Sequence, residues 1–449
     1  MTDILFLAYQ FAPLNTGGTF RSLYFVKYLK QFDINPIVLT LDPNSFSQVY
    51  KNYYVDEGLL NEIPANTDIR FIPSENTLEL YNTPIKAFFN IYFELYAGSE
   101  IKKWKTALMA ETEKVFHRYK PKAIFVSVPP FGMLQLGYEI SKKYDLPLLL
   151  DFRDPWLIWK TTPFGSYFHY YLTKKREEKY IQAAKGVIAT SDQTLMDFMT
   201  YHPQIDRKKY KLINNGYDEE IRDWALHLPP AGQKELTIGY VGSFYYDPKA
   251  REQMMFPWYR KKINRIFQYS IQKEDWLYRS PYFFFSAVKT LFELRPEFKN
   301  RIKIKFIGEI PYWLPEMIKD HELIDVCQLL GQKSMKESID FQKSCDYLLI
   351  TSSKVLKGND YSIAGKTFEY FSMRKPIIAF VSSGAQKRMI LNSGMGLICD
   401  PDNSQESAEN LISLLEGKIE LVPNKGFLDS LNRKNLSEKL ASVIRETCA

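Results

Sequence analysis

Cysteine is scarce in this chain: Cys327, Cys345, Cys399 and Cys448 are the only four among 449 residues. They are too few for a disulfide framework and lack metal-ligand spacing, which fits a reducing compartment. The five histidines, His117, His169, His202, His227 and His321, form no Cys/His cluster and no His-x-x-x-His pair, so zinc chemistry has no support. A Gly-x-Ser-x-Gly elbow is missing, and with it the usual start of a hydrolase triad. No Gly-x-Gly-x-x-Gly and no Gly-x-x-x-x-Gly-Lys-Ser/Thr follows any predicted strand, which removes the main support for dinucleotide oxidoreductases and P-loop ATPases.

Long apolar runs are missing too. The most apolar longer stretch, Ala87–Gly98, is broken by Asn90 and Glu94 and falls short of the ~18–20 apolar residues of a membrane span. At the N-terminus Asp3 stands directly before Ile4–Ala8, without a basic leader or a small-residue cleavage site, and the run reads as a first strand. Low-complexity sequence is absent. The net charge of +7, from 59 basic and 52 acidic residues, is too small to argue for nucleic acid, which is not expected as a partner. It leaves anionic substrates or an anionic membrane surface open.

What is present is an ordinary globular composition, 45% hydrophobic and 25% charged, long enough for two or three domains at ~100–200 residues each. Aromatics are plentiful (31 Phe, 30 Tyr, 7 Trp), which suits generous cores or a surface that handles sugar or lipid. Short apolar runs alternate with helical patterns, the mark of βα units around a parallel sheet buried on both faces. Strands are predicted at Ile4–Ala8, Pro36–Leu41, Ile69–Ile72, Ala123–Val128, Pro147–Phe152, Gly186–Thr190 and Lys211–Asn214. A second series follows at Leu236–Val241, Ile302–Ile307, Val326–Leu330, Tyr347–Ile350, Pro376–Val381 and Gly396–Cys399. The fold class is therefore α/β with two doubly wound parallel-sheet domains: 1–228, a linker at 229–235 marked by Pro229 and Pro230, and 236–425. An insertion at about 245–279 interrupts the second. A C-terminal helix lies within 426–449.

Three loops carry candidate chemistry. After the first strand, Gly17 and Gly18 open a helical pattern, so backbone N–H groups and the positive helix end can meet a diphosphate; a tight turn without ligand is the alternative. The strand Pro147–Leu150 runs into Asp151-Phe152-Arg153-Asp154-Pro155-Trp156, charged groups at the carboxyl end of a parallel strand, where open α/β sheets bind ligands. A structural ion pair is the alternative there, and a metal is not expected. In the second half Lys366 and Glu369 share a helix face, suiting a phosphate and a ribose diol, or else forming a solvated helix ion pair.

Taken together, Phe-Ala-Pro-Leu-Asn-Thr-Gly-Gly, Ser-Val-Pro-Pro-Phe, Asp-Phe-Arg-Asp-Pro-Trp, the turn Asn215-Gly216-Tyr217-Asp218 and Gly-Lys-Thr-Phe-Glu-Tyr-Phe before Lys-Pro-Ile-Ile resemble glycosyltransferase family four, in the family's order, over residues 4 to about 400. The resemblance implies two facing Rossmann-like domains (the GT-B fold), acceptor on the first and nucleotide sugar on the second, and metal-independent transfer with retention of anomeric configuration. It implies no cofactor, the nucleotide-diphosphate sugar being a co-substrate, and a C-terminal helix within 426–449 that packs back on the first domain. Glu369 matches the second glutamate of the family's pair, and Tyr361 stands where the first would be. Ser243 follows Gly242 where the family commonly has arginine, a charge for Lys366 to supply. Donor-binding residues are then Gly17, Gly18, Gly242, Tyr361, Lys366, Glu369 and the Gly384 loop; Arg153 and Asp154 orient hydroxyls, with Asp154 as base.

The expected function is sugar transfer from a nucleotide-diphosphate donor to a glycan or lipid-linked acceptor, in surface polysaccharide or glycoconjugate synthesis. The rival is a non-catalytic GT-B partner or scaffold that binds without turnover, favoured by the departures at positions 361 and 243. A cytoplasmic location is expected, with peripheral attachment at the inner face of the membrane open. The aromatic stretch Pro84–Tyr96 followed by Lys102, Lys103 and Lys105 is one surface for that attachment, and the 245–279 insertion is another.

Overall fold

The computed structural model describes residues 1–74, 85, 99–158, 163–230 and 233–448, so most of the Pro84–Tyr96 stretch lies outside the described residues. The chain divides into two compact units. Unit 1 comprises Met1–Gly216, Lys262–Ile271 and Arg433–Ala449; unit 2 comprises Tyr217–Lys261 and Gln272–Asn432.

Unit 1 is built on seven strands: β1 (Thr2–Ala8), β2 (Ile34–Leu41), β3 (Ile69–Ile72), β4 (Ala123–Val128), β5 (Leu148–Phe152), β6 (Gly186–Ala189) and β7 (Tyr210–Leu212). They pair in parallel in the order β3-β2-β1-β4-β5-β6-β7. The runs are continuous in sequence because both faces are covered, and the two-residue period of a strand sorts each run onto two cores. Leu5, Leu7, Ile124, Val126, Leu148 and Leu150 face one cluster with Trp104 and Leu134. Ile4, Phe6, Phe125, Leu149 and Ile188 face the other, which is closed by Leu23, Val26 and Leu29 of the helix Gly17–Leu29 and by Leu436, Leu440 and Ile444 of the helix Arg433–Cys448. The C-terminal helix is thus part of the core of unit 1, and Arg433 stacks on the Tyr24 ring at 3.5 Å.

Unit 2 holds β8 (Leu236–Val241), β9 (Lys273–Asp275), β10 (Ile302–Ile307), β11 (Cys327–Leu329), β12 (Tyr347–Thr351), β13 (Lys354–Leu356), β14 (Ile377–Phe380) and β15 (Gly396–Cys399). Six of them form a parallel sheet in the order β11-β10-β8-β12-β14-β15, while β9 and β13 pair antiparallel as a separate ribbon. Helices Tyr282–Leu294 and Ser404–Leu415 cover one sheet face. The other face is filled by Phe368, Tyr370, Phe371 and Ile390, together with Tyr217, Trp224, Leu428 and Leu431. That packing explains why the chain enters unit 2 at Tyr217, upstream of the proline-bearing 229–235 stretch. Tyr217 Oη donates to Leu428 O at 2.8 Å and Trp224 Nε1 to Asp429 Oδ1 at 2.8 Å, so the segment after β7 belongs with the residues that precede the last helix.

Candidate functional site

In each sheet the strand order reverses direction at one point, between β1 and β4 in unit 1 and between β8 and β12 in unit 2. Loops leaving the carboxyl ends of strands at such a point diverge and leave a crevice for a ligand. The candidate residues gather at these two places.

In unit 1 the Gly17-Gly18 loop follows β1 and Arg153 follows β5. A Cβ on Gly18 would lie 1.8 Å from Arg153 Nη1 and 2.2 Å from Gln10 Oε1, so the guanidinium occupies the space a side chain would need. Arg153 donates through Nε to Val128 O at 3.3 Å, and through Nη2 to Pro129 O and to Gln10 Oε1 at 3.1 Å. It therefore ties the ends of β4 and β5 to the loop after β1. Burial pushes this arginine down to about 10, against the pull of Asp151 and Asp154. Asp154 is half-buried beside it, and Gly17 has open space where a Cβ would stand.

Beneath this layer lies a buried ion pair absent from the list of candidates read from the sequence. Arg21, on the first turns of helix Gly17–Leu29, meets Asp151 in a fork, with Nη2 to Oδ1 at 2.7 Å and Nε to Oδ2 at 3.0 Å. Its Nη1 donates to Asn214 O at 3.0 Å and Asn215 Oδ1 at 3.2 Å, while Ser127 Oγ donates to Asp151 Oδ2 at 3.3 Å. The helix after β1, the ends of β4 and β5 and the loop after β7 converge on one satisfied pair. A charged residue inside the apolar run Leu148–Phe152 was the available signal, and its partner lies too far along the chain for spacing to reveal.

In unit 2, β8 ends at Gly242, whose φ of 113° lies in the region that favours glycine. A Cβ there would stand 3.0 Å from Lys366 Nζ. The Lys366 ammonium lies 3.7 Å from the centroid of the Tyr240 ring, a cation–π contact, and forms no ion pair among the described residues. Desolvation by the surrounding protein pushes it down to about 7, with Glu369 pulling the other way. Glu369 is exposed on the same short helix, Lys366–Ser372. Of the two readings of this pair, the helix ion pair is not what forms.

The loop before that helix is pinned from one side. Gly384 has a φ of 151°, and a Cβ on it would lie 2.2 Å from Asp360 O; Asp360 N donates to Ser383 O at 3.0 Å and Ala385 N to Asp360 O at 2.8 Å. Gln386 Oε1 accepts from Ala364 N at 2.8 Å. Gly384 thus permits a close backbone approach that positions Asp360 and, through the loop, Lys366. Tyr361 is buried. The adjacent Asp360 carboxylate accepts from Ser353 Oγ at 3.0 Å and from Ser362 N and Oγ at 3.0 and 2.7 Å, and burial raises its pKa against the pull of Arg279.

Arg279 comes from the insertion. The β9–β13 ribbon pairs Glu274 with Val355, and Thr351 Oγ1 at the end of β12 donates to Arg279 O at 3.2 Å, which brings Arg279 to the carboxyl edge of the sheet. Its guanidinium pairs with buried Glu274 at 2.6 Å and lies 5.9 Å from the Tyr245 ring. Burial works against its charge, but Glu274 and Asp360 outweigh that and hold its pKa above the ordinary arginine value. No motif in the sequence marks it. Among the described residues no cluster of His, Cys, Asp and Glu could hold a metal ion, and no helix is long and apolar enough to cross a membrane.

Residues 285–424, which include Lys366, Glu369 and the Gly384 loop, match the family model for glycosyl transferases group 1. No protein of curated function matches the chain in sequence. Among solved structures the chain is similar to HepE of Anabaena, solved in complex with UDP (TM-score 0.60, 13% identity, 99% of this chain and 100% of that one). It is similar also to sucrose-phosphate synthase from Thermosynechococcus elongatus (0.59, 12%, 99% of each) and to the lipopolysaccharide outer core galactosyltransferase WaaB (0.57, 13%, 99% of each). The fold of this chain, two α/β units each on a parallel sheet, is that of the GT-B glycosyltransferases.

Proposed function

We propose that the protein is a glycosyltransferase that moves a sugar from a nucleotide-diphosphate donor to a hydroxyl of a glycan or lipid-linked acceptor. The observation that carries this reading is the Lys366 ammonium, held over Tyr240 beside Gly242 at the end of β8, inside the segment that matches a glycosyl transferase model. The reaction breaks the bond between the anomeric carbon and the diphosphate oxygen while the acceptor oxygen bonds to that carbon. Negative charge grows on the departing diphosphate, and a preplaced cation in a poorly solvated site stabilises it more than water would. Lys366 supplies that charge, the glycine at 242 lets the backbone come close, and exposed Glu369 accepts from the two ribose hydroxyls. The UDP held by the Anabaena protein of the same fold supports a nucleotide as the ligand class.

In unit 1, Arg153 keeps the strand ends in place and Asp154 takes the acceptor proton. Transfer proceeds with retention and without a metal. Incubating the full chain with a panel of nucleotide sugars and acceptors, with and without a chelator, tests each part. Turnover that survives chelation and gives a product with the donor's anomeric configuration is expected. Glu369→Ala should weaken nucleotide binding, and an unchanged affinity counts against the assignment.

A second reading, a GT-B protein that binds without turnover, is favoured by one observation. Tyr361 cannot provide a carboxylate, and its neighbour Asp360 is occupied by Ser353 and Ser362. Nucleotide binding with neither donor hydrolysis nor transfer on any acceptor would select it.

A further inference from the structure

We propose that unit 1 carries a docking surface for an anionic lipid bilayer, built where the Lys262–Ile271 segment lies against the start of the helix Tyr167–Ala183. The inference does not depend on glycosyl transfer. Phe164 and Tyr269 exchange both backbone hydrogen bonds, at 2.8 and 2.9 Å, which fastens the segment to unit 1. The Tyr269 ring lies 5.1 Å from Tyr167 and 4.9 Å from Tyr170, above a small buried cluster of Leu157, Phe164 and Tyr170.

Around this anchor the outer side chains face solvent: Tyr167 is 61% exposed, Phe168 52%, Tyr171 46%, Phe267 67% and Ile263 88%. Tyr167 and Tyr171 are four apart on one helix and share a face. Large apolar side chains gathered on two adjoining segments mark an interaction surface rather than scattered exposure. Charge decides which kind. Residues 155–176 and 253–273 contain no Asp or Glu, whereas Lys174, Lys175, Lys262 and Arg265 lie within them. The carboxylates that follow on the helix are engaged: Glu177 is buried, accepting from Leu157 N at 3.0 Å and paired with His202 at 2.8 Å, and Glu178 pairs with Lys175 at 3.5 Å. Aromatic rings settle at the level of lipid headgroups, and each cation near an anionic leaflet favours binding roughly fivefold. Ring-bearing and basic side chains on two adjoining segments that carry no carboxylate of their own fit that interface.

Co-sedimentation of the full chain with phosphatidylcholine vesicles, with and without phosphatidylglycerol, tests this. Binding is expected only with the anionic lipid, weakening as salt rises. Lys262→Glu/Arg265→Glu should lower partitioning by at least tenfold, and Tyr167→Ser/Phe267→Ser should lower it with an unchanged melting temperature. Should the aromatic pair of changes unfold the protein, the charge reversal alone decides. Lys103→Glu/Lys105→Glu, on the helix Ser99–Arg118, should leave binding unchanged. The proposal is overturned by any of four results: no sedimentation in low salt, binding that survives the reversal at 262 and 265, binding abolished by the change at 103 and 105, or capture by polyglutamate with none by vesicles, which would point to an acidic protein.

Discussion

Gly18 lies directly under the guanidinium of Arg153, with 1.8 Å between the position of a Cβ and Nη1. Because Arg153 is held by Val128 O, Pro129 O and Gln10, it cannot swing away without breaking the links between the loops after β1, β4 and β5. Gly18→Ala should therefore cost about 1–3 kcal/mol, the range for overfilling a packed site, and should reduce transfer. Gly17→Ala, with nothing within 4 Å, should stay within about 0.5 kcal/mol of the parent. Urea denaturation of the two variants checks the contrast.

The Arg21–Asp151 fork is almost wholly buried, so removing one partner strands the other. Asp151→Asn should destabilise unit 1 by about 3–5 kcal/mol, as breaking a buried pair does. Denaturation curves monitored in the full chain would show it as a lower midpoint, and a loss below about 1 kcal/mol would mean that water reaches the pair.

Lys366, pushed down to about 7, ties nucleotide binding to pH. Below pH 7 the free protein already carries the ammonium, and diphosphate binds without a proton. Above it the neutral amine must take one up, so affinity falls by up to about tenfold per pH unit until the pKa of the bound form is reached. Calorimetry of UDP binding at pH 8 in buffers of different ionisation heat should report proton uptake, and Lys366→Met should abolish it. The same shift acts on stability. Between pH 7 and the ordinary lysine value of 10.5 the unfolded chain binds more protons, so the contribution of this residue to stability rises with pH over that window. Lys366→Met should raise the melting temperature most below pH 7 and progressively less above it.

Arg279→Gln leaves Glu274 buried and unpaired and should cost about 3–5 kcal/mol. Adding Glu274→Gln should restore most of that stability. If Arg279 also serves the nucleotide, the double variant should bind UDP about tenfold more weakly than the parent, a charge-assisted hydrogen bond having been lost. Parallel melting and UDP titrations separate the two effects.

Much of the fold was legible along the chain. A strand buried on both faces must be apolar at nearly every position, so Ile4–Ala8, Ala123–Val128 and Tyr347–Ile350 declare themselves locally, and glycines such as Gly242 mark the loops that follow. Lys366 and Glu369 could be singled out because helix spacing places them on one face. Their side chains could not be: only packing turns the lysine onto Tyr240 and leaves the glutamate in solvent. Arg21 and Asp151 meet across 130 positions, and the guanidinium of Arg279 reaches the sheet edge only because β9 pairs with β13. The passage into unit 2 at Tyr217 is likewise set by which core the Tyr217 and Trp224 rings fill, not by the prolines that follow. Periodicity is a property of neighbours in sequence and survives reading one residue after another. Ion pairs, orphan cations and domain membership depend on which distant segments share a surface, and tertiary structure alone decides that.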